Sequence, residues 1–284
     1  MATRPRTIQI YLPNGDPRGI RVAELTTSIV RVVEVPRSLL QEFQRMPEAS
    51  QVALYFLFGD GESEDAVLYI GQSGNVGDRL NIHNCKKDFW NKALVVISLT
   101  NNLTQTHALY LEWLSIKVAN DVARYSLENG TGGSKPHTPA PLQADCEEIF
   151  DTARTLIATL GFPVFEPVAV KSDVTEPVDY FYCKSGGADG IGEYTPEGFV
   201  MLKGSKGRLT AVASCGVNNE ARRNNLIASG VMKEDGGMLV FAKDHAFSSP
   251  SSAAMTLLGR TANGWVEWKN SDGKTLDEVK RKTI

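Results

Sequence analysis

Short apolar runs separated by polar, glycine-bearing turns set the pattern of this chain. The run 52–58 (VALYFLF) is β-branched and aromatic and ends at Gly59, the signature of a buried strand. The run 66–71 (AVLYIG) has the same character, and the polar stretch 60–65 between them has the length of a hairpin loop. Pairing of these two strands brings Tyr55 and Tyr69 near each other. Asn75 then stands at an N-cap position, with Asp78 in the first turn where it suits the positive helix end, predicting a helix through His83. Residues 92–99 are a third apolar strand, and Thr104 opens a helix in which Leu109, Trp113 and Ile116 form an apolar stripe.

The flanks follow the same logic. Runs 7–12 and 29–35 read as strands around the turn 13–17, and a short helix spans 39–43. This N-terminal piece is small for an independent domain and is expected to pack on the core that follows. Residues 131–141 are rich in Gly and Pro and predict a loop, in which His137 is a surface residue. A helix carrying Cys146, Ile149, Ala153, Leu156, Ile157 and Leu160 on one stripe follows and stops at Gly161 and Pro163. Residues 166–179, polar and interrupted by Pro167 and Pro177, predict a linker.

Beyond 180 the pattern becomes that of a compact α+β module. It has a turn at 186–190, a strand at 198–205, a helix at 220–229 stopped by Gly230, and a strand at 239–241. A helix capped by Ser249 with Pro250 at its first position runs to Gly259. The stretch 263–268 (NGWVEW) predicts a turn and a Trp-bearing strand. Three apart on a strand, Trp265 and Trp268 face opposite sides; core packing is the ordinary role of both, and the alternative is one in the core and the other stacked on a base.

Composition narrows the class without deciding it. A length of 284 residues allows two domains, and 42% apolar with 22% charged residues describes a globular protein. A net charge of −3 excludes a strongly basic, sequence-indifferent nucleic-acid coat. Basic clusters remain, with Lys86, Lys87 and Lys92 beside Arg79 and a second group from Lys203 to Arg223. Cys85, Cys146, Cys183 and Cys215 form no Cys-x-x-Cys pair, so reduced thiols are expected rather than zinc or a disulfide framework. The N-terminal residues lead into a strand rather than a long apolar core, and no run approaches the length of a membrane span. A soluble, cytoplasmic protein without membrane contact is expected.

Candidate chemistry lies in one ordered set: Tyr55, Tyr69, Arg79, His83 and Glu112. Taken singly, each has an ordinary role, the tyrosines as core residues with their hydroxyls at the rim and the rest as solvated helix residues. Arg79 and His83 are four apart and share a helix face. Arg79 offers a permanently charged fork for phosphate oxygens, and a single carboxylate such as Glu112 can hold a Mg²⁺ that keeps most of its waters. Phosphodiester cleavage needs these groups and a proton acceptor for the attacking water. A phenol is a poor base near neutrality, and nearby cations are expected to lower the pKa of Tyr55.

The segment 50–130 resembles the GIY-YIG nucleases. Ala53-Leu54-Tyr55 stands at the first motif, Tyr69-Ile70-Gly71 matches the second literally, and Arg79, His83 and Glu112 follow in order and spacing. Ala53 and Leu54 depart from the usual glycine and isoleucine. The resemblance implies a metal-dependent endonuclease using Mg²⁺ or Mn²⁺ on DNA, with Tyr55 as general base, Glu112 as metal ligand and Asn129 as a further catalytic residue. The implied fold is α+β: a small α/β nuclease domain with a central antiparallel three-stranded sheet flanked by helices, plus a C-terminal α+β module. The expected domains are an N-terminal extension at 1–48, the nuclease with its trailing helix at 49–165, the linker at 166–179 and the module at 180–284. The tail resembles an uncharacterised module joined to such nucleases and, in its Ser-Pro-Ser and Asn-Gly-Trp-x-x-Trp pattern, domains associated with restriction that are proposed to read modified DNA. Lys86, Lys87, Lys92, Trp265 and Trp268 are the candidate nucleic-acid contacts. RNA stays open as a substrate, as does a catalytically silent DNA-binding protein on the same scaffold. The oligomeric state is not legible in the sequence.

Overall fold

A computed structural model describes residues 5–60, 66–129, 134–167, 179–196, 198–212 and 215–281. The hairpin loop expected at 60–65 and the linker expected at 166–179 lie largely outside these residues. The chain divides into two compact units, Met1–Glu166 and Pro167–Ile284. Among the described residues it is a mixed α+β protein with two multi-stranded sheets and eight α-helices.

In the first unit the strands are β1 (Ile8–Tyr11), β2 (Arg21–Leu25), β3 (Val30–Pro36), β4 (Ala53–Asp60), β5 (Ala66–Ser73), β6 (Trp90–Ser98) and β7 (Ser126–Leu127). They lie in the order β1-β2-β3-β6-β4-β5-β7, antiparallel throughout except for the parallel pair β5-β7. The three predicted strands β4, β5 and β6 are neighbours, but the sheet has seven strands rather than three. β3 pairs with β6 from Val30↔Ser98 to Pro36↔Lys92, so the N-terminal segment continues the sheet edge to edge instead of packing on it.

β2 escapes the apolar pattern because charges interrupt it. Arg21 and Glu24 lie opposite Glu34 and Arg31 in the β2-β3 register, and both pairs are ion pairs. Cross-strand partners let these polar positions sit in a half-buried ladder.

Alternation along the strands gives the sheet two apolar faces. One carries Leu54, Phe56, Leu68, Ile70, Leu94 and Val96 and packs with residues of helices α3 (Gln105–Val122) and α4 (Ala140–Thr159). The other carries Tyr55, Leu57 and Val95, with Tyr69 at its margin, and packs with residues of α1 (Leu40–Phe43) and α2 (Val76–Lys86). Strands buried on both faces read as continuous apolar runs, which is why β4 and β6 stand out in the sequence.

The second unit holds β8 (Tyr180–Ser185), β9 (Ala188–Thr195), β10 (Gly198–Met201), β11 (Lys206–Arg208), β12 (Met232–Asp235), β13 (Met238–Phe241) and β14 (His245–Phe247). Their order is β12-β13-β11-β9-β10-β14, with β8 also paired to β9. Helices α5 (Val217–Ala228), α6 (Pro250–Leu258), α7 (Gly264–Glu267) and α8 (Leu276–Lys280) complete it. Phe181, Phe199, Phe241, Leu257 and Trp268 fill its core.

The expected Trp-bearing strand at 263–268 is instead α7. Asn263 accepts the Trp265 N–H as an N-cap, and a Cβ on Gly264 would lie 2.1 Å from the Pro250 carbonyl oxygen, so the turn docks directly on the start of α6. Trp268 is fully buried, stacks near Phe199 at 4.3 Å and donates its indole N–H to the Pro250 carbonyl at 3.0 Å. It is a core residue and presents no face to a nucleic acid. Trp265 is half-buried between Tyr194, at 5.4 Å, and the Arg281 guanidinium, at 3.5 Å. Among the described residues no helix is long and apolar enough to cross a membrane.

Candidate active site

The site begins with the β4-β5 register. Tyr55 lies opposite Gly71 and Leu57 opposite Tyr69, which puts both phenols on one face as a diagonal pair. A Cβ at position 71 would lie 2.3 Å from the Tyr55 hydroxyl, so glycine there makes room for the phenol. The apolar pattern locates the strand, and this glycine lets the tyrosine fold across it.

Helix α2 is held over that face by its first turn. Asn75 accepts the Asp78 N–H, and Gln44 donates to the Gly77 carbonyl at 2.7 Å. Arg79 and His83, one turn apart, then both reach Tyr55. The Arg79 Nε donates to the Tyr55 hydroxyl at 3.2 Å, and His83 Nε2 lies 2.8 Å from the same oxygen. The phenol oxygen has two lone pairs, so beside the Arg79 N–H it can accept from His83 Nε2–H or donate its own O–H to an unprotonated Nε2. Burial and then Arg79, Lys87 and Lys86 lower the His83 pKa to about 4, so the imidazole is neutral near pH 7.

This depression has a consequence for stability. The ordinary histidine value near 6.5 applies to the unfolded chain and the lower one to the folded chain, so the unfolded state binds more protons between them. The His83 contribution is complete above pH 6.5 and is lost as pH falls toward about 4. Urea unfolding at pH 7 and pH 5 is expected to show this loss, with His83→Asn reducing the difference. An unchanged difference would contradict a neutral His83 in the folded chain.

The structure corrects the expectation for Tyr55. Burial dominates and holds its phenol well above the ordinary value, against the opposing pull of Arg79. Tyr55 is fully buried and neutral near pH 7. Tyr69 is the half-buried phenol of the pair, with its ring 6.3 Å from that of Tyr55 and 5.2 Å from His83. Lys87 Nζ lies 4.5 Å over the Tyr69 ring and 3.7 Å from the Glu128 carboxylate.

Glu112 comes from α3, a helix opened by the capping box between Thr104 and His107. Burial raises the Glu112 pKa, while the Gln72 main-chain amide and Arg79 work in the opposite direction. The carboxylate therefore belongs to the surroundings of Arg79, and Gln72 is a neighbour that sequence reading missed. A half-buried carboxylate whose charge is penalised suits a divalent cation. Among the described residues no group of three or more His, Cys, Asp or Glu is placed to hold a metal, so an ion at Glu112 would keep most of its waters, as Mg²⁺ prefers.

Two expected site residues have partners within the sheet. Asn129 accepts the Ile70 N–H at 2.9 Å and donates to the Ile70 carbonyl at 2.7 Å, so both ends of its amide are spent on the strand between Tyr69 and Gly71. Lys92 lies 2.9 Å from Glu34, a carboxylate it shares with Arg21, so its ammonium group is paired within the sheet. Lys86 is exposed near the end of α2.

Residues 181–280 match the model of a domain of unknown function, DUF4357. They coincide with the module read from the sequence. No curated protein and no solved structure matches the chain.

Proposed function

We propose that this protein is a metal-dependent DNA endonuclease of the GIY-YIG type, with its reaction at Tyr55, Tyr69, Arg79, His83 and Glu112 and its targeting in the C-terminal module. The observation that carries the reading is the convergence of Arg79 and His83 on one buried phenol, with a desolvated carboxylate in the same electrostatic neighbourhood. A core tyrosine needs one hydrogen-bond partner. Tyr55 meets Arg79, His83 and Tyr69.

Arg79 orients a phosphodiester through its remaining N–H groups and stabilises charge on the phosphoryl oxygens. Tyr69, on the accessible side and coupled to Tyr55, meets the attacking water. Its proton leaves through Tyr69 to solvent, while the neutral His83 holds the Tyr55 phenol in place, and no phenolate accumulates. Mg²⁺ or Mn²⁺ held by Glu112 would supply charge stabilisation for the phosphoryl and leaving oxygens.

Arg79→Ala is expected to lower cleavage about 10²- to 10³-fold, the cost of losing one charge-stabilising group. Lys92→Ala serves as the charge control and is expected to cleave like the parent. Equal activity of Arg79→Ala and parent would sink the assignment. The burial of Tyr55 favours a second reading, a silent DNA-binding protein on this scaffold, whose mark is DNA binding without cleavage in any divalent metal.

A further inference from the structure

Beside Glu112 the surface of α3 carries a feature that the hydrolytic step does not use. At 3.6 residues per turn, Leu109, Trp113 and Lys117 form one stripe next to Glu112. Leu109 is 40% exposed and Trp113 is half-buried. Two ammonium groups flank the indole, Lys117 Nζ at 5.6 Å and Lys135 Nζ at 5.3 Å from its centroid. Lys135 also lies 5.5 Å from the Tyr110 ring and donates to Gln143. Trp113 packs its inner side against the core and lies 5.4 Å from the Tyr110 ring, which leaves its outer side to the two lysines.

We infer that Leu109, Trp113, Lys117 and Lys135 form the strip that receives the DNA strand entering the site, with a base beside the scissile phosphodiester stacked on Trp113 and flanking phosphates on the two lysines. An aromatic face bounded by cations matches the two parts of a nucleotide, a π-surface and a phosphate, and it tolerates any base. The inference rests on the nuclease reading for the identity of the polymer.

The test uses the full chain carrying Glu112→Gln, so that binding is measured without turnover, with a fluorescein-labelled oligothymidine followed by polarisation across a salt series. Trp113→Ala is expected to weaken binding about 5- to 100-fold, with Trp113→Phe restoring most of it. Lys117→Gln with Lys135→Gln is expected to reduce the salt slope by about 1.4, two phosphate contacts on a single strand. Circular dichroism of each variant verifies folding, and the Phe and Gln variants keep the test open if Trp113→Ala unfolds. Cleavage by the parent together with parental binding by the folded variants overturns the strip and leaves the nuclease standing. Absence of both binding and cleavage in the parent overturns both.

Discussion

Glu112→Gln is expected to abolish detectable cleavage, a loss of about 10²- to 10³-fold, while leaving the fold at least as stable as the parent at pH 7. The two outcomes have one cause. Burial raises the Glu112 pKa in the folded state, so the folded chain binds that proton more tightly than the unfolded chain. Stability from this group is present at low pH and declines as pH rises through the folded value, so at pH 7 the ionised carboxylate opposes folding. A neutral amide of the same shape removes that opposition and also removes the negative charge a divalent cation needs. Thermal melting and a nicking assay on the same preparation check the pair. Parallel losses of stability and cleavage would make Glu112 a structural residue.

Gly71→Ala is the second large effect. The added Cβ would stand 2.3 Å from the Tyr55 hydroxyl and 2.5 Å from its ring carbon Cζ, inside any tolerable contact. The phenol must leave, losing both its Arg79 and its His83 hydrogen bonds, and overpacking adds about 1–3 kcal/mol of destabilisation. Cleavage is expected to fall with Tyr55 displaced. Gly74→Ala, three residues on, would meet at closest the end of the Gln105 side chain at 3.4 Å and is expected to change stability by less than about 0.5 kcal/mol. Denaturant midpoints of the two variants decide this, and equal midpoints would show that Tyr55 does not depend on the space at Gly71.

What the sequence revealed and what it concealed have separate physical causes. β4, β5 and β6 were legible because burial on both faces makes strands continuously apolar, and α2 and α6 because Asn75 and Ser249 cap them with their own side chains. β2 is hidden by Arg21 and Glu24, charges that break its apolar run and whose partners on β3 show only once the strands are paired. In the second unit, β11 and β14 are three residues each, too short for alternation to show. The 263–268 segment misled because Trp and Val favour strands, whereas Asn263 and the contact of Gly264 with Pro250 decide for a helix. In the site, the i, i+4 relation of Arg79 and His83 was readable, and their shared target was not. The environment of Tyr55 was misjudged because desolvation depends on everything packed around the phenol, of which the sequence shows only the nearby cations. The partner of the Asn129 amide, Ile70, lies 59 positions away, so no local reading shows it.

The central claim is that this cluster hydrolyses phosphodiester bonds with a divalent cation. Its most direct test is incubation of the purified full chain with plain and modified, single- and double-stranded DNA in Mg²⁺, Mn²⁺ or EDTA, beside the Glu112→Gln variant. The account predicts strand scission of at least one substrate by the parent with metal, and none in EDTA or with the variant. Scission that persists in EDTA or in the variant, or a parent that binds DNA and cuts none of these substrates, would contradict it.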